Sequence, residues 1–335
     1  MRLTLYFPVI LVALGVSFTL SPFAIGLVRR IGLIDQPGSS KHKQHTSPMP
    51  MAGGLIILVT LFFCALIFGW NSNKDILGIL VGMSVIFVFG ALDDWKGFGA
   101  KQKMLGQFLG SIVLIVTGTQ VHLFVFDITN LLLTTLWVIG VINAFNFVDS
   151  MDGLALGLAG IASGFLLLVT IEADQPTLAS LSAGILGVCI GSAFFNLPPA
   201  KMFLGDSGSQ SLGFLMAAIG MAYNPVGLER LSSWYVPILL LGVPIFDTAL
   251  VVFSRIKRGA KIYQASHDHT YHRLCRLGLE PTRAVFAMHL MGMILGFVSF
   301  IALDVVVPWG NVIFAAAVLV GLIIIIIFEK RVPVE

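Results

Sequence analysis

The run Leu131-Leu-Leu-Thr-Thr-Leu-Trp-Val-Ile-Gly-Val-Ile142 closes on Asn143-Ala-Phe-Asn146-Phe-Val-Asp149-Ser-Met-Asp152-Gly153. Its apolar part is too long for a barrel strand and suits a helix crossing a bilayer. Its closing part is the opposite in character. A spacing of three puts Asn143, Asn146, Asp149 and Asp152 along one stripe if the helix continues. Carboxamides and carboxylates at the end of a greasy helix are costly unless they meet water, a cation or a partner. A helix cap needs one such residue. Four of them point to a site.

Composition extends this reading to the whole chain. Of 335 residues, 57% are hydrophobic and 11% charged, against about 25% charged in soluble domains. The expected fold is an all-α, polytopic integral membrane protein. Apolar stretches lie at about 3–28, 51–70, 75–92, 104–119, 129–146, 154–171, 177–196, 210–223, 234–254, 284–304 and 308–328, giving eleven spans. The first is longer than a signal-peptide core and lacks a clear cleavage site, so it reads as a retained span. Residues 1–335 read as one transmembrane catalytic unit, with no soluble domain inserted. Cys64, Cys189 and Cys275 form no disulfide framework, and the first two read as core fillers. His122 and His289 stand alone and read as structural.

Lysine and arginine set the orientation. With the N-terminus outside and the C-terminus inside, seventeen of the 20 fall in inner loops, leaving Arg2, Lys74 and Arg230 outside. The same parity gathers the dense polar segments on the cytoplasmic face, near 29–50, 93–103, 143–153, 197–209 and 255–283. One site assembled from several loops is the simplest reading.

Each segment has its own chemistry. Asp93-Asp94 ends a span, where adjacent carboxylates need a cation or a base beside them; Lys96, Lys101 and Lys103 follow. Gly205-Asp206-Ser-Gly-Ser209 opens a helix whose amides could hold phosphate or be capped by Asp206. Asp247 lies inside a span, where an acid marks function or a helix–helix pair. His267-Asp-His-Thr-Tyr-His-Arg273 sits in a basic loop. Its His and Arg residues suit a diphosphate better than zinc. Arg255, Lys257 and Arg258 read as contacts to anionic lipid.

Together the pieces resemble a known family. The matching residues are Lys43-Gln-His45 with Pro48, Pro50 and Gly53-Gly54; Asp93-Asp94; Lys103-Met-Leu-Gly-Gln107; Asn143, Asn146, Asp149 and Asp152-Gly-Leu154 at their spacings; Gly205-Asp206 with Gly208-Ser209; Pro244 with Asp247; and His269 with His272-Arg-Leu274. They follow the order of the polyprenyl-phosphate N-acetylhexosamine-1-phosphate transferases, relatives of the enzyme that makes lipid I. The similarity runs from about Asp35 to Leu279. Two positions depart: Ser150 stands where the family usually has Gly, and Tyr271 stands within its usual His-x-His-His.

The resemblance implies transfer of N-acetylhexosamine 1-phosphate, most simply GlcNAc 1-phosphate, from a UDP-sugar to polyprenyl phosphate in the inner leaflet of a bacterial plasma membrane, with release of UMP. It implies Mg²⁺, with Mn²⁺ as a substitute, held by Asp206 and Asn146. It assigns catalysis to Asp93, Asp94 and Asp149. Substrate binding falls to Lys101, Lys103, Asn143, Asp152, Asp247, His269, His272 and Arg273. No nucleic-acid partner is expected, and the exposed apolar surface would permit a homodimer. Alternatives are transfer of the MurNAc-pentapeptide unit or, in another class, proton-coupled transport. A CDP-dependent phosphatidyltransferase fits less well, because Asp152-Gly-Leu-Ala155 continues with Leu156 and Gly157 rather than that family's arginine.

Overall fold

A computed structural model describes residues 2–37, 47–225, 233–260 and 268–332. His42, Lys43, Gln44, His45, Arg230, Lys261 and His267 lie outside the described residues. Each of the eleven apolar stretches coincides with helix. They are α1 (Phe7–Arg30), α2 (Gly53–Ile67), α3 (Lys74–Lys96), α4 (Ala100–Thr117), α5 (Asp127–Val148), α6 (Leu154–Glu172), α7 (Pro176–Asn196) and α8 (Gly205–Ala222). The ninth stretch forms two helices, α9 (Val236–Leu240) and α10 (Gly242–Arg258). Then come α11 (Thr270–Arg276), α12 (Pro281–Asp304) and α13 (Val307–Arg331). Among the described residues, seven helices are long and apolar enough to cross a membrane by themselves. This is an all-α, polytopic membrane architecture.

The bundle is greasy outside as well as inside. Leu11, Phe23, Leu136, Phe286, Phe297, Val320 and Ile326 are exposed, a cost in water but not in lipid. The interior is closed through small residues, as is usual where lipid offers no hydrophobic drive for helix association. At its centre is α8, in which every residue from Ser207 to Gly220 is buried. It packs against α2, α3, α5 and α6. A Cβ at Gly54 would lie 2.5 Å from Ser207 Oγ, and one at Gly90 would lie 2.5 Å from Ser207 Cα. Those two glycines let α2 and α3 close on the first turn of α8.

Backbone hydrogen bonds fix the same end. A two-residue antiparallel pair joins β1 (Ile34–Asp35) to β2 (Met49–Pro50). The chain after β2 then ties itself to the segment before α8: Phe203 donates to the Pro50 carbonyl at 2.9 Å, and Ala52 and Gly53 donate to the Phe203 carbonyl. Thus the C-terminal ends of α3, α5 and α7 meet the N-terminal ends of α2, α4, α6 and α8. The opposite ends of α3, α4, α7 and α8 surround a cavity of about 580 Å³.

Candidate active site

The site starts from the first turn of α8. Gly205 has φ +71°, the left-handed region that glycine enters without steric penalty. A Cβ there would also lie 2.6 Å from the Asp94 carboxylate. That carboxylate accepts the backbone N–H of Asp206 at 2.7 Å and of Ser207 at 3.1 Å. Asp94 therefore caps α8 from a neighbouring helix, satisfying donors that a helix start leaves without intrahelical partners.

The Asp206 side chain faces the other way. Its Oδ2 lies 2.6 Å from Lys103 Nζ, and its Oδ1 accepts from Asn146 Nδ2. Asn146 also donates to Ser209 Oγ at 3.1 Å. Lys103 Nζ meets Asp93 Oδ2 as well, and Asp93 Oδ1 accepts from the Phe98 N–H. The Asp93-Asp94 pair is thus split. Asp93 pairs with a cation, and Asp94 serves α8.

The stripe read from the sequence is cut short. Helix α5 ends at Val148, and Asp149 is its C-terminal cap residue. Asp152 lies in the following turn, where it accepts from the Ala200 N–H at 3.2 Å. Asn143 stays on the helix but enters a buried amide network. Its Nδ2 donates to Gln107 Oε1 at 2.8 Å, and Gln107 Nε2 donates to Gln210 Oε1 at 3.2 Å. Gln107 and Gln210 received no role from the sequence, although both are buried amides one helical register from Lys103 and Asp206. Lys101 is exposed on the first turn of α4.

A second group adjoins the first through α5. Phe147 packs edge-on against His269, with ring centres 6.1 Å apart. Asp247 is buried, 1% exposed. It accepts the Thr270 N–H at 2.6 Å and lies 2.8 Å from His269 Nδ1. An ionised carboxylate can only accept, so Nδ1 carries hydrogen and Nε2 is the atom left for a ligand. The His272 ring is tilted against that of Tyr271, with centres 3.9 Å apart, and its centre lies 6.2 Å from that of His269. Asp247 thus acts on His269 and the start of α11.

Arg273 differs from its expected place. It is wholly buried, with Nη2 2.7 Å from Glu329 Oε1, so its guanidinium serves the protein interior. Arg255 and Arg258 are likewise not spent on lipid. Both pair with Asp268, at 3.0 and 2.8 Å, and Lys257 pairs with Glu329 at 3.1 Å. Asp268 and Glu329 were missed in the sequence. For Glu329 the available signal was an acid in the last turn of a very apolar helix.

Electrostatics give the cluster a need. Lys103 pairs with Asp93 and Asp206, while Asp94 lies against the start of α8 and Asp149 within reach of the charges of Asp206 and Asp94. Burial, helped by the charges of Asp206, Asp94 and Asp152, holds the Asp149 carboxyl well above the usual carboxylate range. Negative charge is therefore under-compensated, and a hard cation would relieve it. The donors are carboxylate and carboxamide oxygens; Asn146 directs Nδ2 at Asp206 in this structure and would present Oδ1 to a cation. Among the described residues, no three of Asp, Glu, His or Cys group at metal-ligand spacing. A cation here would take one or two carboxylates and complete its shell with phosphate oxygens and water, as Mg²⁺ usually does.

The family model described as Glycosyl transferase family 4 matches residues 76–224, from early α3 past the end of α8. The probable undecaprenyl-phosphate N-acetylglucosaminyl 1-phosphate transferase of Bacillus subtilis (strain 168) is 32% identical over 89% of this chain and 85% of its own length. The decaprenyl-phosphate N-acetylglucosaminephosphotransferase of Mycobacterium leprae (strain TN) is 29% identical over 92% and 88%. The phospho-N-acetylmuramoyl-pentapeptide-transferase of Bacillus cytotoxicus is 29% identical over 85% and 93%. With 32% identity to one such enzyme spread along most of the chain, the protein belongs to the polyprenyl-phosphate N-acetylhexosamine-1-phosphate transferase family and is an enzyme of it.

Proposed function

We propose that the protein transfers GlcNAc 1-phosphate from UDP-GlcNAc to polyprenyl phosphate, at the cytoplasmic face of a bacterial plasma membrane, within one eleven-span catalytic unit. The observation that carries this reading is the convergence of Asp94, Lys103, Asn146 and Asp206 at the mouth of an otherwise apolar bundle. One reactant must lie in lipid and the other in water, and this is where both reach the same residues. An oxygen of the lipid phosphate forms a bond to the sugar-linked phosphorus of the donor. The bond from that phosphorus to the bridging oxygen breaks, and UMP leaves with the oxygen.

Asp206 and Asn146 would hold Mg²⁺, which would supply charge neutralisation on the donor diphosphate. Lys103, already bridging two carboxylates, holds positive charge where phosphate oxygens must approach. The lipid phosphate has a second pKa near ~6 and is mostly dianionic at neutral pH. Positioning therefore outweighs proton removal, and the Asp93–Lys103 pair serves position more than base catalysis. His269, oriented by Asp247, presents Nε2 to a donor phosphate, with His272 beside it. Asp149 and Asp152 face the nucleotide side of the same mouth.

Membranes containing the protein, given radiolabelled UDP-GlcNAc and polyprenyl phosphate, should yield a labelled organic-soluble product and UMP. Asp206→Ala should lose ~10³-fold in rate, the size of several kcal/mol of lost charge stabilisation, while still purifying as a folded protein. Label transfer from UDP-MurNAc-pentapeptide but not from UDP-GlcNAc would replace the donor assignment. Robust turnover by Asp206→Ala would overturn the metal assignment.

A further inference from the structure

We propose that Glu329, in the last turns of α13, is a positioning residue for His269, acting through Arg273 and Asp268. The proposal rests on the reading of His269 as a group facing the sugar-nucleotide donor. Arg273 is wholly buried, and its contacts reach three other segments. Nε donates to the Asp268 carbonyl at 3.2 Å, and Nη1 to the Val332 carbonyl at 3.3 Å. Nη2 donates to Ser254 Oγ on α10 at 3.0 Å and to Glu329 Oε1 at 2.7 Å. The planar fork of arginine makes each donor direction depend on the others. Fixing Nη2 on Glu329 therefore also fixes where Nε can hold the Asp268 carbonyl.

That carbonyl belongs to the residue just before His269. The Asp268 side chain is held separately, by Arg255 Nε and Nη2 at 3.0 Å each and by Arg258 Nη2 at 2.8 Å. Two residues on, Thr270 donates its N–H to Asp247. The His269 backbone is thus gripped on both sides, and its ring is gripped by Asp247. Of these grips, the one through Arg273 is anchored by α13, a helix otherwise mostly exposed. Without Glu329 the guanidinium would face buried surroundings where the acids among the described residues are already paired with Arg255, Arg258 and His269. A buried charge in that position draws in water or turns to another acceptor. Either response frees the Asp268 carbonyl and lets α11 shift.

The test uses the full-length protein in detergent. Diethyl pyrocarbonate labels histidines, and mass spectrometry follows the rate at each one. His269 has a side chain only 12% exposed and should react slowly in the wild type, while exposed His122 serves as internal standard. In Glu329→Ala, His269 should label several-fold faster with His122 unchanged, and Glu329→Asp should restore most of the protection. The KM for UDP-GlcNAc should rise ~10-fold, the scale of a small misplacement, with the KM for polyprenyl phosphate within about twofold. Unchanged labelling of His269 overturns the proposal. So does a parallel rise at His289, which sits in α12 against α6 and reports general loosening. If Glu329→Ala does not fold, Glu329→Gln, which keeps size and loses charge, is judged by the same criteria. A wild type that moves no GlcNAc 1-phosphate defeats the donor reading and leaves the histidine readout to decide on Glu329.

Discussion

Asp149 is a residue whose surroundings oppose its ionisation. Its folded-state pKa lies above the unfolded value because burial and neighbouring acids disfavour its charge. Below the unfolded pKa of ~3.9 the group is neutral in both states and costs nothing. As pH rises towards the folded pKa, the native state binds more protons than the unfolded one, so stability falls. The loss accrues at ~1.4 kcal/mol for each pH step between the two values, and Asp149→Asn removes it. In chelator the variant should unfold at the wild-type temperature near about pH 4 and at a higher temperature near about pH 7.5. A constant difference across that range would show that ionisation of Asp149 does not matter. Residue identity was legible in the sequence; direction was not. Neighbours on a helix do not share a face, so Asp93 and Asp94 had to part. Arg273 read as a ligand because its acid lies 56 residues away, beyond any local spacing rule.

The element that organises the chemistry is α8, and Asp94 holds its start. Asp94→Ala should destabilise the protein by ~1 kcal/mol, the usual cost of a lost helix cap, and should lower turnover by displacing Asp206. Asp94→Asn keeps a carbonyl oxygen to accept one N–H and should recover most of both. Thermal unfolding and transfer rate, measured on the same preparations, decide the point. Equal inactivity of both variants with wild-type stability would make Asp94 a chemical group instead. Helix positions were readable because hydropathy imposes them, whereas helix ends were not. The expected polar stripe fails because α5 stops at Val148. The ninth span breaks after Leu240, where Pro244 can neither donate to the Leu240 carbonyl nor sit beside it without a clash.

At the scale of the molecule, alternating helix direction brings the polar segments to one end. The proposed orientation, drawn from the lysine and arginine distribution, puts that end in the cytoplasm, with Lys101 inside and Lys74 outside; both are exposed. In a cysteine-free background, Lys74→Cys should react with an impermeant maleimide in intact cells. Lys101→Cys should react only after the membrane is opened. The reverse pattern would invert the proposed topology.

The two halves of the cluster are mounted differently. Asp206 rides on a helix encased on every side, with glycines closing its neighbours onto it. His269 precedes, and His272 lies in, a seven-residue helix tied by the Arg273–Glu329 ion pair to the last turn of α13. On the proposed reading, in which the histidines face the donor, the cluster has one jaw set deep in the bundle and one hung from side chains. That reading predicts that a change of donor sugar is met by substitutions around the short helix, while the jaw that carries Asp206 stays as it is.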